Sequence, residues 1–318
     1  MVSSDLLSFI SNMFGSLHNN SKIFSGVSIL LVGDLAQLPP INGQPVFNSP
    51  VWKRFFPLFL NKSQRQKSDP TFYDLLQELR FGRLTEKSKK LIAAKINEPK
   101  KTENLITSTH LVSLRQVANE INELTSNSLP TNDESFGPFT SIAIDTINHE
   151  TPPQNQRQYP RFSNYTNLPE KVIVREGARV MYLNNKLFDH NICNETIGVI
   201  TNIIDNKNIE VTFPTTNDIT KIIVQKETTY FDINGNPSTR RQFPLQNAFA
   251  LTIHKTQGLT IPHTIIKIDE GIFATGQVYV AMSRAPSWES IDILDFDFSC
   301  VKTDESVSRE YARLYSVY

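Results

Sequence analysis

The sequence predicts an α/β fold that a β-rich insertion interrupts. Apolar residues at helical spacing over 3–17 and an apolar, β-branched run over 27–32 predict a helix followed by a buried strand, of the kind found in parallel sheets. Between residues 171 and 226, short strand-like segments are separated by Gly, Asn and Asp, which is typical of a small β-barrel or sandwich. From residue 247 onward the alternation of strands and helices returns.

The remaining elements follow in order along the chain. A Ser cap precedes the first helix, whose apolar face comprises Leu6, Leu7, Ile10, Met13, Phe14 and Leu17. After a polar linker at 61–70, apolar residues within 72–79 and the segment 85–96 predict two helices. The stretch "NLITSTHLVSLRQVANEINELTSNSL" predicts a short strand, a Thr/Ser turn and a long helix. Residues 151–169 are rich in Pro, Asn and Gln and predict a long loop.

Composition narrows the classes of function. Lys plus Arg and Asp plus Glu both number 32, so a bulk positive charge cannot argue for nucleic-acid binding, although a local basic groove stays open. The only cysteines, Cys193 and Cys300, are far apart, which favours neither a zinc site nor a disulfide framework. Without an 18-residue apolar span or a signal peptide, the sequence predicts a soluble, intracellular protein.

A first polar cluster ends the predicted strand in "VSILLVGDLAQLPP", residues 27–40. Asp34 and Gln37 would lie at the carboxyl end of a parallel strand, where α/β sheets bind ligands. A Gln amide there can hold a water molecule or a phosphate oxygen. The alternative is a turn in which Asp34 caps the following segment.

Two further clusters lie near the C-terminal end of the chain. In "ALTIHKTQGLT" several hydrogen-bond donors cluster at the end of a predicted strand. These donors either bind a ligand or are ordinary solvated loop residues. They are Thr252, His254, Lys255, Thr256 and Gln257. In "GQVYVAMSRA" a predicted helix brings Arg284 near its C-terminal end. That guanidinium either complements the helix dipole or stabilises charge on a transferring phosphoryl group.

Five blocks, in this order, resemble the Pif-type branch of the RecD-like superfamily 1B DNA helicases. They are "GDLAQLPP", "QRQKSDPTFYDLLQELRFG", "LPEKVIVREGARVMYLNN", "LQNAFALTIHKTQGLTI" and "GQVYVAMSRA", and the resemblance runs from Met1 to about Asp295. It implies RecA-like parallel sheets of the P-loop NTPase type and an SH3-like β insertion in the second domain. The implied boundaries are 1–62 for part of the first RecA-like domain, 63–170 and 246–318 for the second, and 171–245 for the insertion.

The resemblance also implies roles for single residues. Gln37 would sense the γ-phosphate and the attacking water, and Arg65 and Arg284 would be the two arginines presented to that phosphate. Asp34, Gln257 and Gly258 would serve ATP binding and its coupling to DNA. The implied DNA-facing residues are His254, Lys255, Thr256 and, at the end of the "ITST" strand, Thr109. No metal ligand is predicted among these residues.

The chain departs from the family pattern in three places. It contains no Walker A stretch G-x-x-x-x-G-K-[ST] and no Asp-Glu metal-binding motif, which would directly precede a Met such as Met1. ATP and Mg²⁺ are the expected cofactors, with the metal ligands in a preceding part, and these residues alone should not turn over ATP. In "CNETIGV", Glu195 replaces a residue suited to positive φ, so the turn is expected to differ. Residues 1–60 should be poorly stable alone, because their sheet would lack its first strands.

The resemblance implies single-stranded DNA or DNA junctions and ATP as partners, no membrane, and a monomer. It further implies 5′-to-3′ translocation, roles in DNA repair, recombination or telomere maintenance, and a place in the nucleus or mitochondrion. Two alternatives stay open. One is a catalytically inactive remnant that binds single-stranded nucleic acid, and the other is the helicase-like domain of a mobile element.

Overall fold

A computed structural model describes residues 1–99, 108–130, 137–151, 162–215 and 218–318 of the chain. The chain forms two compact units. Unit 1 comprises Met1–Leu114 and Thr252–Tyr318, and unit 2 comprises Arg115–Leu251. The chain thus leaves unit 1 and returns to it, as a predicted insertion requires. The division at 114/115 lies well before the predicted insertion boundary at 170/171, and most of the predicted loop at 151–169 lies outside the described residues.

Five of the described helices form where the sequence predicts them, and the last one, Glu305–Val317, was not predicted. In the described residues they are α1 Ser4–Leu17, α2 Pro70–Arg80, α3 Glu86–Asn97, α4 Arg115–Ser128, α5 Gln277–Met282 and α6 Glu305–Val317. Side-chain caps explain four of the starts, since the side chains of Ser3, Asp69, Thr85 and Asp304 each accept a hydrogen bond from a first-turn backbone N–H. No described helix is long and apolar enough to span a bilayer.

A four-stranded sheet organises unit 1. Its strands, in spatial order, are β12 Ala250–Thr252, β1 Thr109–Val112, β13 Thr264–Ile268 and β14 Ile291–Phe296, and β12 carries the chain across the 251/252 division. β1 pairs with β13, and β13 with β14, both in parallel, which confirms the parallel α/β prediction. Apolar side chains from α2, α3 and α5 pack with these strands in one core. Thr109 begins β1 and does not end a strand, while Ile106 and Thr107 of the predicted "ITST" strand lie outside the described residues.

The N-terminal segment differs from the prediction. Residues 27–32 form no strand, and Leu30 and Val32 are 78% and 81% exposed. The predicted buried strand is therefore wrong for this structure, because no described strand pairs with the segment and no layer covers it. The apolar face of α1 is likewise largely open, with Leu7 buried but Leu17 exposed.

Unit 2 confirms the β-rich insertion. Its strands are β2 Phe139–Ile142, β3 Ile144–Ile147, β4 Lys171–Val174, β5 Arg179–Tyr182, β6 Ile197–Ile203, β7 Asn208–Pro214, β8 Ile219–Gln225, β9 Glu227–Ile233, β10 Asn236–Gln242 and β11 Leu245–Asn247. They form a five-stranded sheet, β11-β5-β6-β7-β8, a three-stranded sheet, β3-β10-β9, and the pair β2-β4, with antiparallel neighbours throughout. One apolar core that includes Val180, Ile200 and Phe213 lies against the larger sheet.

The turn between β5 and β6 contains Glu195 in a left-handed conformation, at φ +73°. Its backbone N–H donates to the carbonyl oxygen of Tyr182 at 2.8 Å. The glutamate itself therefore adopts the positive φ for which its residue type is poorly suited. A non-glycine residue in this region costs about 1 kcal/mol or more.

Candidate functional site

The loop after residue 33 is held by the carboxylate of Asp34. This carboxylate accepts hydrogen bonds from Arg80 Nη2 at 2.9 Å and from the Tyr311 hydroxyl at 2.8 Å through Oδ1, and from the Tyr279 hydroxyl at 3.0 Å through Oδ2. The backbone N–H of Ala36 also donates to Oδ1 at 3.1 Å, so Asp34 caps its own turn as the alternative interpretation expected. The same carboxylate thus shapes the turn and ties it to α2, α5 and α6.

This network fixes the charge of Asp34. Burial opposes ionisation of the carboxyl group, but the Arg80 guanidinium and the hydrogen bond from Tyr311 outweigh it and hold the pKa of Asp34 below its usual value. Burial and the adjacent carboxylate raise the pKa of Tyr311 to about 12. At neutral pH the site therefore contains an ionised Asp34, a charged Arg80 and a neutral phenol that donates its proton.

Arg80 and Tyr311 were not among the predicted site residues. Arg80 ends α2, and its guanidinium lies 4.8 Å from the ring centroid of Tyr311 and 5.1 Å from that of Phe81. The Tyr311 hydroxyl also accepts a hydrogen bond from the backbone N–H of Leu35 at 3.0 Å. The sequence signal was weak, because an Arg at a helix C-terminus and an aromatic residue on an amphipathic helix both have ordinary structural explanations.

Gln37 and Gln257 meet at this loop. The side-chain amide of Gln257 donates to Oε1 of Gln37 at 3.3 Å. Gly276, the N-cap of α5, packs against the backbone of the same loop at φ +73°. A Cβ at this position would lie 2.9 Å from the carbonyl oxygen of Gln37 and closer still to that of Ala36. Glycine is therefore required for the loop and the helix to approach this closely.

Arg65 lies beside the same region and is partly exposed. Its guanidinium donates to Thr260 Oγ1 at 2.8 Å, to the carbonyl oxygen of Ser283 at 2.9 Å and to that of Gly258 at 3.4 Å. None of these acceptors is charged. Since the cation is not neutralised by them, Arg65 can still pair with an anion such as a phosphate oxygen.

Arg284 is more deeply placed, with only 1% of its surface exposed. Its guanidinium donates to neutral acceptors: the carbonyl oxygens of Val280, Thr256 and Leu259 and the hydroxyl of Ser283. Burial and the nearby charge of Arg65 lower its pKa to about 10. Two guanidinium groups thus raise the local potential together, but Arg284 would have to leave its present acceptors to contact a phosphate directly.

The predicted DNA-facing residues are not all exposed. The side chains of Thr109 and Thr256 are fully buried, and the Thr256 hydroxyl donates to the carbonyl oxygen of Ile253 at 2.8 Å. Direct contact of these hydroxyls with DNA phosphates is not available in this conformation. His254 and Lys255 are partly exposed, and both belong to the short 3-10 turn Ile253–Thr256 that leads to Gln257. Gly258 follows at φ +95° and is exposed.

The hydrogen-bond donors of this site suit a phosphoryl group, but its described residues offer no ligands for the Mg²⁺ ion that would accompany it. Guanidinium and amide donors from Arg65 and Gln37 suit phosphate oxygens and an attacking water. Within the described ranges, no group of three or more His, Cys, Asp or Glu is arranged to hold a metal ion. Asp34 is already paired with Arg80. No step through Mg²⁺ can therefore be derived from these residues.

Known proteins place this arrangement in a family. No protein-family model matches the chain. The ATP-dependent DNA helicase PIF1 of Homo sapiens is 31% identical over 323 residues, which covers 99% of this chain and 48% of that protein. The crystal structure of the Pif1 helicase from Candida albicans superposes with a TM-score of 0.86 at 26% identity, covering 100% of this chain and 75% of the other. Bacteroides Pif1 bound to single-stranded DNA gives 0.75 at 25% identity, covering 99% and 73%.

These similarities define the class of protein first and then the family. The parallel sheet of unit 1 belongs to a RecA-like fold. The chain is a homologue of the Pif1-type DNA helicases of superfamily 1B over nearly its full length. It spans about half the length of the curated relative from Homo sapiens.

Proposed function

We propose that these residues form part of an ATP-dependent DNA helicase that couples ATP hydrolysis to movement along single-stranded DNA. The observation that carries the proposal is the meeting of Gln37 with Gln257 beside the uncompensated guanidinium of Arg65. Homology supports it, since the relative from Homo sapiens is an ATP-dependent DNA helicase and the Bacteroides neighbour is bound to single-stranded DNA.

In the proposed reaction, charge on the γ-phosphate is stabilised by the partly exposed guanidinium of Arg65. Arg284 raises the positive potential behind it and holds the turn that contains Thr256. The Gln37 amide orients the attacking water. An arginine supplied in this way accelerates phosphoryl transfer by about 10³ or more. Asp34 acts indirectly. Its hydrogen bonds from Arg80, Tyr311 and Tyr279 hold the loop that contains Gln37 in position.

Coupling to DNA would run through the segment after β12. Gln257 contacts Gln37 on one side and ends the 3-10 turn that carries His254 and Lys255 on the other. A change in the position of Gln37 when the γ-phosphate leaves would therefore move the turn that faces DNA. Backbone phosphates of single-stranded DNA are the suitable ligand for a cation such as Lys255.

These 318 residues would supply only one side of the reaction. The Walker A loop and the Mg²⁺ carboxylates that phosphoryl transfer needs do not occur in their sequence. Translocation from 5′ to 3′, a nuclear or mitochondrial location, the monomeric state and the roles in repair, recombination or telomere maintenance stay predictions of the resemblance.

The test separates the two halves of the proposal. The chain alone should bind fluorescent oligo(dT), measured by anisotropy, with an affinity that falls as salt rises, and should not hydrolyse ATP. Hydrolysis by the chain alone, abolished in Arg65→Ala, would contradict the proposed division.

A chimera that adds, before Met1, a segment with Walker A and Walker B motifs taken from an ATP-dependent DNA helicase should then show DNA-stimulated hydrolysis. In that chimera Arg65→Ala is expected to lower turnover by about 10³, with Arg65→Lys as the charge-retaining control. A folded chimera that binds DNA but hydrolyses no ATP would instead favour the alternative of a non-catalytic single-stranded DNA-binding protein.

A further inference from the structure

Phe273 presents an aromatic ring beside the candidate DNA-facing turn. The residue lies between β13 and α5 and is 64% exposed. Its ring is stacked on the imidazole of His254, with centroids 5.5 Å apart and planes at 12°. A single exposed apolar residue is ordinary on a protein surface. A ring that is stacked on a nearly parallel imidazole and is still 64% exposed has a more specific geometry.

The backbone that carries the Phe273 ring is held in place by hydrogen bonds and by core packing. The backbone N–H groups of Phe273 and Ala274 both donate to Oε1 of Gln277, at 3.2 and 3.1 Å. Gln277 is fully buried in α5, and Ile272, which precedes Phe273, is buried in the core of unit 1. Little conformational entropy is therefore lost when a flat partner stacks on this ring.

Charge and sequence position identify the partner. Lys255 directly follows His254 in the same short turn, so a cation for a backbone phosphate and an aromatic face for a base occur together. This pairing of cationic and aromatic side chains is how proteins bind single-stranded nucleic acid without sequence preference. We propose that Phe273, backed by His254, is a stacking platform for one unpaired base of single-stranded DNA, an inference that rests on the proposed function.

The platform is also linked to the nucleotide side of unit 1 by two routes. His254 shares a 3-10 turn with the residues that lead to Gln257, which contacts Gln37. Phe273 is held by Gln277, the first residue of α5, whose N-cap glycine packs against the backbone of Gln37. A movement of the Gln37 loop would therefore shift the positions of both the His254 and the Phe273 rings.

The experiment compares two strands of about 20 nucleotides, oligo(dT) and a strand of the same length with abasic sites throughout. Phe273→Ala should weaken binding of oligo(dT) by about 5- to 150-fold, the range that loss of one base stack gives. It should leave the abasic strand and the salt slope unchanged, since no phosphate contact is removed. Phe273→Trp, which keeps a stacking face, should bind oligo(dT) like the unaltered chain.

Lys255→Gln is the matched control. It should weaken both strands and lower the salt slope by about 0.7, the value for one phosphate contact on a single strand. Equal weakening of both strands by Phe273→Ala, or no effect on either, would refute the platform while the proposed function stands. If the unaltered chain binds neither strand, both are refuted. Unchanged circular dichroism of each variant establishes that it is folded.

Discussion

The bond between Asp34 and Arg80 offers a sharp test of how the loop at residue 34 is held. Replacing Arg80 with Met keeps most of the side-chain volume but removes two donors, Nε and Nη2, which lie 3.2 and 2.9 Å from Asp34 Oδ1. The carboxylate would keep its bonds from Tyr311, Tyr279 and the backbone of Ala36. It would lose the only positive charge bonded to it among the described residues.

The size of the loss follows from burial. A charge-assisted hydrogen bond contributes about 1.5–3 kcal/mol, and removing one partner of a fully buried pair costs about 3–5 kcal/mol. The side chains of Arg80 and Asp34 are 18% and 17% exposed, so water compensates part of the loss. We expect Arg80→Met to lower the free energy of unfolding of unit 1 by about 2–3 kcal/mol.

The chain provides its own probe for this measurement. Its two tryptophans, Trp52 and Trp288, both belong to unit 1, so intrinsic fluorescence reports the unfolding of that unit. With a urea slope of about 2 kcal/mol per molar, the midpoint should fall by about 1–1.5 M. Asp34→Asn and the double variant complete a double-mutant cycle that isolates the pair.

The dependence on pH gives a second criterion. The folded pKa of Asp34 lies below its ordinary value of 3.8, so the stabilisation is present above that value and is lost as pH falls through the folded pKa. The gap between wild type and Arg80→Met should therefore be full at about pH 7 and shrink below about pH 4. A gap under about 0.5 kcal/mol at neutral pH, or one independent of pH, would refute the ion-pair explanation.

Three further predictions concern backbone and exposure. Glu195→Gly should stabilise unit 2 by about 1 kcal/mol, because the residue has φ +73°, whereas Glu195→Ala should give no gain; circular dichroism during thermal unfolding measures both. Gly276→Ala should lower the urea midpoint of tryptophan fluorescence, since a Cβ would collide with the carbonyl oxygens of the Gln37 loop; an unchanged midpoint would show that the loop moves freely. Limited proteolysis should cut within the first 60 residues before it cuts the rest of unit 1, given the unpaired segment 27–32; equal resistance would contradict this.

Local sequence patterns were sufficient to predict many of the helices and strands. The caps at Ser3 and Asp69 and the apolar spacing of α2 depend on neighbours a few residues away, so sequence alone located these helices. The strands from β4 to β9 were equally predictable, because alternation and turn residues act within one hairpin, whereas β2, β3, β10 and β11 were not predicted. Two residues that the resemblance assigns to the nucleotide site, Gln37 and Gln257, are also in contact, although 220 residues of sequence separate them.

Sequence by itself therefore determined the α/β class, the β-rich insertion, the family resemblance and the order of the polar clusters. Only the tertiary structure decided that residues 27–32 are unpaired, that Thr256 is buried and that Asp34 is bound by Arg80 and Tyr311. The physical reason is the range of the interactions. Periodicity shows which face of a segment is apolar, but burial and charge pairing depend on partners that lie far away in the chain.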